Sequence, residues 1–184
     1  MRANTLDVTI SRRWDGTPCD TAMRHGRARV AREGGGIAIT GWLPHQSTPM
    51  VPDAPPGSRV ARLWETDVVE VFLVGREIYL EVELGRDGRW LVLDFDAPRQ
   101  FRRWYEDLSP KVEWGQDDQE WWSRIHLPAS VIPDGLHAFN AYVIAGGHHL
   151  AYHPVPSTPP DFHQPGLFPP LPDDWLTSGT TAPA

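Results

Sequence analysis

Acidic and aromatic residues are interleaved with apolar ones in two stretches of the chain, LWETDVVEVFL over residues 63–73 and YLEVELGRDGRWLVL over residues 79–93. A third stretch, PPDFHQPGLF over residues 159–168, adds a carboxylate and an imidazole two positions apart. Flat rings beside carboxylates make a surface that covers the apolar face of a ligand while accepting hydrogen bonds from its polar rim. Trp64 and Trp90 are the candidate stacking rings, Asp67, Glu70, Glu81 and Glu83 the candidate acceptors, and Tyr79, Asp161 and His163 complete the candidate binding set. Each also has a structural alternative. Glu81 and Glu83 can be solvent-facing strand residues paired with Arg86 or Arg89, Trp64 a plug at the end of a sandwich, and Asp67 a turn-stabilising side chain. Asp161 and His163 can serve as locks that hold an extended tail against a sheet by bonding to its backbone.

A second chemistry lies in the late histidines. His148, His149, His153 and His163, together with Asp161 or Glu81, would supply nitrogen and carboxylate ligands for a water-exposed metal, the kind of site that supports hydrolysis or isomerisation. Their spacing matches no established zinc pattern such as HExxH. Neighbours on a strand point to opposite faces, so His148 and His149 do not share an ion, and His148, His153 and His163 are the metal candidates. No dense run of alternating carboxylates resembles a calcium loop. No cofactor is expected, with calcium and a transition metal left open. A Gly-rich phosphate loop, a nucleophile elbow and a Cys/His nucleophile arrangement are all missing from the sequence.

The elements that must position these groups are strands. The 184 residues suit one core, 40% of them are hydrophobic, and the nine tryptophans exceed what an ordinary domain of this length carries. A single domain over residues 1–176 is expected, followed by a frayed TSGTTAPA end at 177–184. Twenty-four acidic against 17 basic residues give a net charge of −7, which leaves no basic field for a nucleic-acid backbone. The opening MRANTLDVTISRRWDG lacks the apolar core of a signal peptide, and no segment approaches the roughly 20 apolar residues of a membrane span. A cytoplasmic location without membrane contact is expected, and Cys19, the single cysteine, rules out an internal disulfide.

Residues 27–32 and 37–43 alternate around three glycines and read as a hairpin. Five prolines and Gly57 between Pro44 and Arg59 mark a long loop. Strands at 68–74, 78–84 and 90–95 follow as a meander, with the Asp87-Gly88 pair as turn signal. A hairpin with Leu84 opposite Arg89 sets Glu83 across from Trp90 and Glu81 across from Val92, so that indole and carboxylates share one face. Leu91, Leu93 and Phe95 then turn to the core, and the opposite face is a polar, aromatic surface. Glu70 joins that face only if the first hairpin has an even-residue loop, which the sequence leaves open. Residues 96–110 read as a loop, 111–114, 120–126, 136–144 and 149–152 as strands, and PASVIPDG at 128–135 as one helical turn. Eight prolines between His153 and Asp173 require an extended, wrapping tail.

A Trp followed three residues later by Asp, a Val-Glu-Val-Phe strand, a Tyr-x-Glu-x-Glu strand with a Gly turn, and a late Pro-Asp-Phe-His together resemble the family 9 carbohydrate-binding modules and their DOMON-like relatives. With WDGTP near the start and PVP near the end, the pattern resembles still more closely an uncharacterised conserved family of stand-alone intracellular proteins. The resemblance covers Trp14 to about Phe168. It implies an all-β antiparallel β-sandwich with long Pro-rich loops and tail, non-catalytic in its best-known members, where rings clasp a sugar and carboxylates accept its hydroxyls. A pyranose, with its apolar C–H face and hydroxyl rim, suits the residue set above. Some DOMON-like domains hold haem, for which Met50 and His45 are the nameable axial ligands. The expected function is therefore non-catalytic binding of a small saccharide or glycan fragment. The alternatives are a metal-dependent hydrolase or isomerase, and a protein-interaction module that has lost sugar binding.

Overall fold

A computed structural model describes residues 5–19, 25–173 and 175. The expected end at 177–184 lies outside the described residues. Among the described residues the regular elements, apart from single 3-10 turns and the helical residues Asp173 and Trp175, are strands: β1 (Thr5–Ile10), β2 (Arg12–Arg13), β3 (Gly26–Glu33), β4 (Gly36–Pro44), β5 (Val68–Val74), β6 (Tyr79–Gly85), β7 (Trp90–Ala97), β8 (Gln100–Trp104), β9 (Lys111–Gln116), β10 (Glu120–Leu127), β11 (Ala138–Ala145) and β12 (His148–Ala151). They form two antiparallel sheets, one ordered β1-β3-β4-β10-β9 and the other β2-β12-β11-β5-β6-β7-β8. The expected all-β sandwich is the observed fold.

Between the sheets, Val30, Ile39 and Ile125 from one side meet Val71, Val82 and Val143 from the other, all at most 1% exposed. Alternation places them there, since every second residue of a strand faces the same way. Gly41 of β4 lies against Val69 of β5, and a methyl group on it would come within 2.8 Å of the valine Cβ. The close approach of the two sheets at this point therefore needs glycine.

The seven-stranded sheet is buried on its second face as well. The 3-10 turn Leu63–Glu65 and the tail, through Val155, Phe162 and Phe168, cover Phe72, Leu91, Leu93 and Tyr142. This cover explains why β5 reads VVEVFLV without apolar-polar alternation and is buried at every position. The polar, exposed surface expected on this side of the meander is thus an enclosed one.

Register supplies a second correction. Leu84 pairs with Trp90, Glu83 with Leu91 and Glu81 with Leu93. The Gly85 N–H donates to the Arg89 carbonyl at 2.8 Å, which leaves a three-residue turn, 86–88, with Asp87 at φ 59 and Gly88 at φ 72. Ser123 fixes that turn from β10, donating to the Gly85 carbonyl at 2.7 Å and accepting the Gly88 N–H at 3.1 Å. An odd loop reverses the facing of β7 relative to the expected pairing. Trp90 and Val92 consequently enter the inter-sheet core, and Leu91, Leu93 and Phe95 share the face of Glu81 and Glu83.

The segment expected to be a loop at 96–110 carries edge strand β8, and β1 forms where no strand was expected. β8 departs from ladder regularity by register shifts around Phe95, and its residues are mostly exposed, which hid its alternation. Among the described residues no helix is long and apolar enough to cross a membrane.

Candidate functional site

The second face of the seven-stranded sheet brings three carboxylates together. Val74 pairs with Tyr79, so the first hairpin loop spans the four residues 75–78, and its even length puts Glu70 opposite Glu83. Glu81, two residues along β6, completes the group. One carboxylate oxygen from each of Glu70, Glu81 and Glu83 lies within 4.8 Å of the others, and among the described residues this is the cluster of potential metal ligands with that geometry. The three residues are 2%, 3% and 0% exposed. Glu83 has no well-formed hydrogen bond to either oxygen and Glu81 has none to Oε2, with the Trp64 backbone N–H turned towards Glu83.

Burial dominates their electrostatics, because a carboxylate removed from water favours its neutral form. Glu70 is pushed up to about 8 by burial. Burial also raises Glu81 and Glu83 well above the usual carboxylate range, and the neighbouring carboxylates of the cluster push them further. Tyr142, across the strand pair from Glu70, is raised by burial and then by the Glu70 charge.

His163 is the polar group from the tail that reaches this floor. The Tyr79 hydroxyl accepts the Arg99 backbone N–H at 3.2 Å and shares a hydrogen bond of 2.9 Å with His163 Nδ1, the donor following the tautomer of the ring. That arrangement turns Nε2 towards Glu81 Oε2 at 3.8 Å. His163 is lowered to about 4, first by burial and then by the Arg99 charge, so at neutral pH this contact joins a neutral ring to the carboxyl group. Phe95 stands 4.8 Å from the imidazole in edge-to-face geometry and stacks on Tyr79 at 4.9 Å.

Above the floor opens a cavity of about 430 Å³. Trp64, Phe95, Phe101, Trp104 and Phe162 line it with rings, and Glu81, His163, His149 and Arg99 supply its polar edges. The 3-10 turn after the Pro-rich loop carries Trp64, strands β7 and β8 carry the next three rings, and the tail carries Phe162.

Of the residues expected to bind ligand, Trp64, Glu81 and His163 line the cavity, Glu70 and Glu83 lie in the floor cluster, and Tyr79 holds His163 from behind. Trp90 does not join them. It is 4% exposed between the sheets, and its indole N–H donates to the Gly57 carbonyl at 3.3 Å. Asp67 is likewise away from the cavity lining, accepting the Met50 and Gly146 backbone N–H groups, each at 3.0 Å. It pins the Pro-rich loop to the β11–β12 turn. Asp161 sits beside the cavity, where it pairs with Arg99 at 2.8 Å and accepts the His163 N–H at 3.1 Å.

Among the metal candidates, His148 and His153 are exposed and stand outside the carboxylate cluster, so His163 alone of the three reaches it. His149, set aside in the sequence, lines the cavity between Trp14 and Phe162. Neither Met50 nor His45 lines it. Sequence reasoning missed Phe101, Trp104, Arg99 and Phe162 as cavity residues. The pair of aromatics in QFRRW was the available signal, once 100–104 is read as an edge strand.

No protein-family model matches the chain. It is similar to the human UPF0462 protein C4orf33, with 30% identity over 172 residues that span 86% of this chain and 83% of the human protein. The chain belongs to the UPF0462 family. The rat homologue of C4orf33 is 29% identical to this UPF0462 chain, over 90% of it and 87% of the rat protein. The zebrafish (Danio rerio) homologue is 28% identical over 86% and 85%. Among solved structures, a Bacteroides uniformis protein described as a "putative carbohydrate-binding protein" superposes with a TM-score of 0.68, covering 89% of this chain and 84% of that one. At 20% identity, this likeness of the UPF0462 chain concerns the sandwich fold.

Proposed function

We propose that this protein is a non-catalytic carbohydrate-binding domain whose cavity receives a monosaccharide or the end of a glycan fragment, in the manner of the family 9 modules and DOMON-like sandwiches that its motifs resemble. The observation that carries this reading is the cavity itself: rings on several sides of about 430 Å³, closing on Glu81 and His163 at the floor. That volume falls in the range of small-molecule sites, which combine apolar walls with a few convergent polar groups. Trp64 and Trp104 offer faces for the C–H surface of a pyranose. Glu81 Oε2, buried and unbonded, offers an acceptor for a hydroxyl.

Support also comes from the Bacteroides protein, a "putative carbohydrate-binding protein" that shares this sandwich fold.

Isothermal titration of the intact chain with a panel of neutral, amino and acidic monosaccharides and short glycans tests the proposal. Saturable binding to one site is expected, weakened about tenfold or more by Trp104→Ala, which removes a partly buried ring from edge strand β8. Absence of binding across the panel at millimolar concentration, or undiminished binding by the Trp104 variant, refutes it.

A further inference from the structure

We propose that Glu70, Glu81 and Glu83, with Nε2 of His163 as a fourth donor, bind one divalent metal ion of the Mn²⁺ or Zn²⁺ type at the floor of the cavity. This inference goes beyond sugar binding and stands without it.

Geometry comes first. Oxygens held about 2.0–2.2 Å from a common ion lie roughly 3 to 4.4 Å from one another. The three carboxylates already bring an oxygen each within 4.8 Å, so a small side-chain contraction completes the set. The carboxylates stand on β5 and β6, in the interior of the seven-stranded sheet, where the backbone ladder fixes their separation.

The second observation is independent of the clustering. Glu81 Oε2 is buried with no hydrogen-bond partner, and Glu83, 0% exposed and facing Glu70 across the strand pair, has no well-formed hydrogen bond to either oxygen beyond the approach of the Trp64 backbone N–H. Buried polar atoms in folded proteins find partners. Protonation would remove charge but would still leave hydroxyl donors and carbonyl acceptors to satisfy. A cation bound by all three groups satisfies both requirements at once.

Among the described residues no side chain already does this. Arg99 is the cation whose charge acts on Glu81, yet its side chain is 61% exposed and its guanidinium is held by Asp161 at 2.8 Å. Tyr79 meanwhile grips His163 through Nδ1 and leaves Nε2 facing the carboxylates, the outer-shell arrangement that orients a ligating imidazole. When Nε2 ligates, the ring proton sits on Nδ1 and the Tyr79 oxygen accepts it.

Donor chemistry selects the ion. Ca²⁺ seeks six to eight oxygens, and Mg²⁺ favours oxygen and water ligands over an imidazole nitrogen. Three carboxylates and an imidazole suit Mn²⁺ or Zn²⁺, with a remaining position directed at the cavity.

The test is calorimetric titration of the chelator-treated, untagged full chain with Mn²⁺, Zn²⁺ and Ca²⁺ in the absence of saccharide, accompanied by thermal unfolding. Binding of one Mn²⁺ or Zn²⁺ per chain with a rise in melting temperature is expected, with Ca²⁺ at least about tenfold weaker. Glu83→Gln, close to isosteric and neutral, should weaken the ion by about a hundredfold, and His163→Gln by about tenfold. His163→Gln removes a donor from the tail, outside the sheet, and serves if the Glu83 variant does not fold. The proposal is overturned if neither Mn²⁺ nor Zn²⁺ binds the folded chain near one equivalent, if Ca²⁺ binds more tightly than both, or if the folded variants bind like the parent. Saccharide titration of chelated protein is a separate readout, so failure of one proposal does not mimic failure of the other.

Discussion

Replacing Glu70 by Gln should make the metal-free protein more stable at alkaline pH, and the size of the gain follows from burial. Glu70 is 2% exposed, and its carboxyl group rises from 4.5 to about 8 in the fold. A group whose folded-state value exceeds its unfolded one binds its proton more tightly when folded. Its stabilising contribution is complete below the unfolded value and is lost as pH rises through the folded one. The loss therefore runs from about pH 4.5 to about pH 8. At roughly 1.4 kcal/mol per unit it reaches at most on the order of 5 kcal/mol. For a domain of this length that is about 10–20 °C in melting temperature.

The charged and titratable groups around Glu70 are Glu81, Glu83, Tyr142, His163, Arg99 and Asp161. His163 acts in the opposite sense, because its value is lowered and its contribution is lost as pH falls. The assay is thus a difference: thermal unfolding of wild type and Glu70→Gln in chelator, from pH about 4.5 to about 9. The variant should gain on the parent across that window, with further gain from relief of repulsion on Glu81 and Glu83. Parallel profiles, or a variant less stable at the alkaline end, would refute the reasoning that burial of this carboxylate sets the pH response.

Ser123→Ala removes a hydroxyl that satisfies Gly85 and Gly88 in a buried turn, and should cost about 1–3 kcal/mol in denaturant unfolding. Asp67→Ala should cost a similar amount by freeing the Met50 and Gly146 N–H groups, while saccharide affinity by calorimetry stays unchanged, because Asp67 is absent from the cavity wall. Gly41→Ala drives a methyl into Val69 and should destabilise by about 1–3 kcal/mol in the same unfolding assay, with recovery when Val69 is also cut to Ala.

Strands β3 to β7 were legible in the sequence because alternation and turn residues agree there, as in the glycine turn between β3 and β4. Facing was harder than existence. The Asp87-Gly88 turn was recognised, yet a loop of three residues rather than four sent Trp90 inward, a difference set by Ser123 some 35 positions away. Glu70 presented the same problem in the first hairpin and resolved to the even case. Burial of the carboxylates was illegible, since the chain that covers them arrives from the tail, with His163 84 residues beyond Tyr79. Asp67 shows the converse. Its turn-locking alternative was visible in the sequence, but its partners Met50 and Gly146 meet it through the fold. The rings of β8 escaped notice because an exposed edge strand with bulged pairing loses the period that marks a strand.

The central claim, that a saccharide enters the ring-lined cavity, is tested most directly by the indole N–H signals in a proton-nitrogen correlation spectrum during titration with a binding sugar. The signals of Trp64 and Trp104 should shift saturably, while that of Trp90, bonded to Gly57 between the sheets, should stay in place. Shifts confined to Trp42, Trp114 and Trp122, which belong to the other sheet, would contradict the claim and move the binding surface to the opposite side of the sandwich.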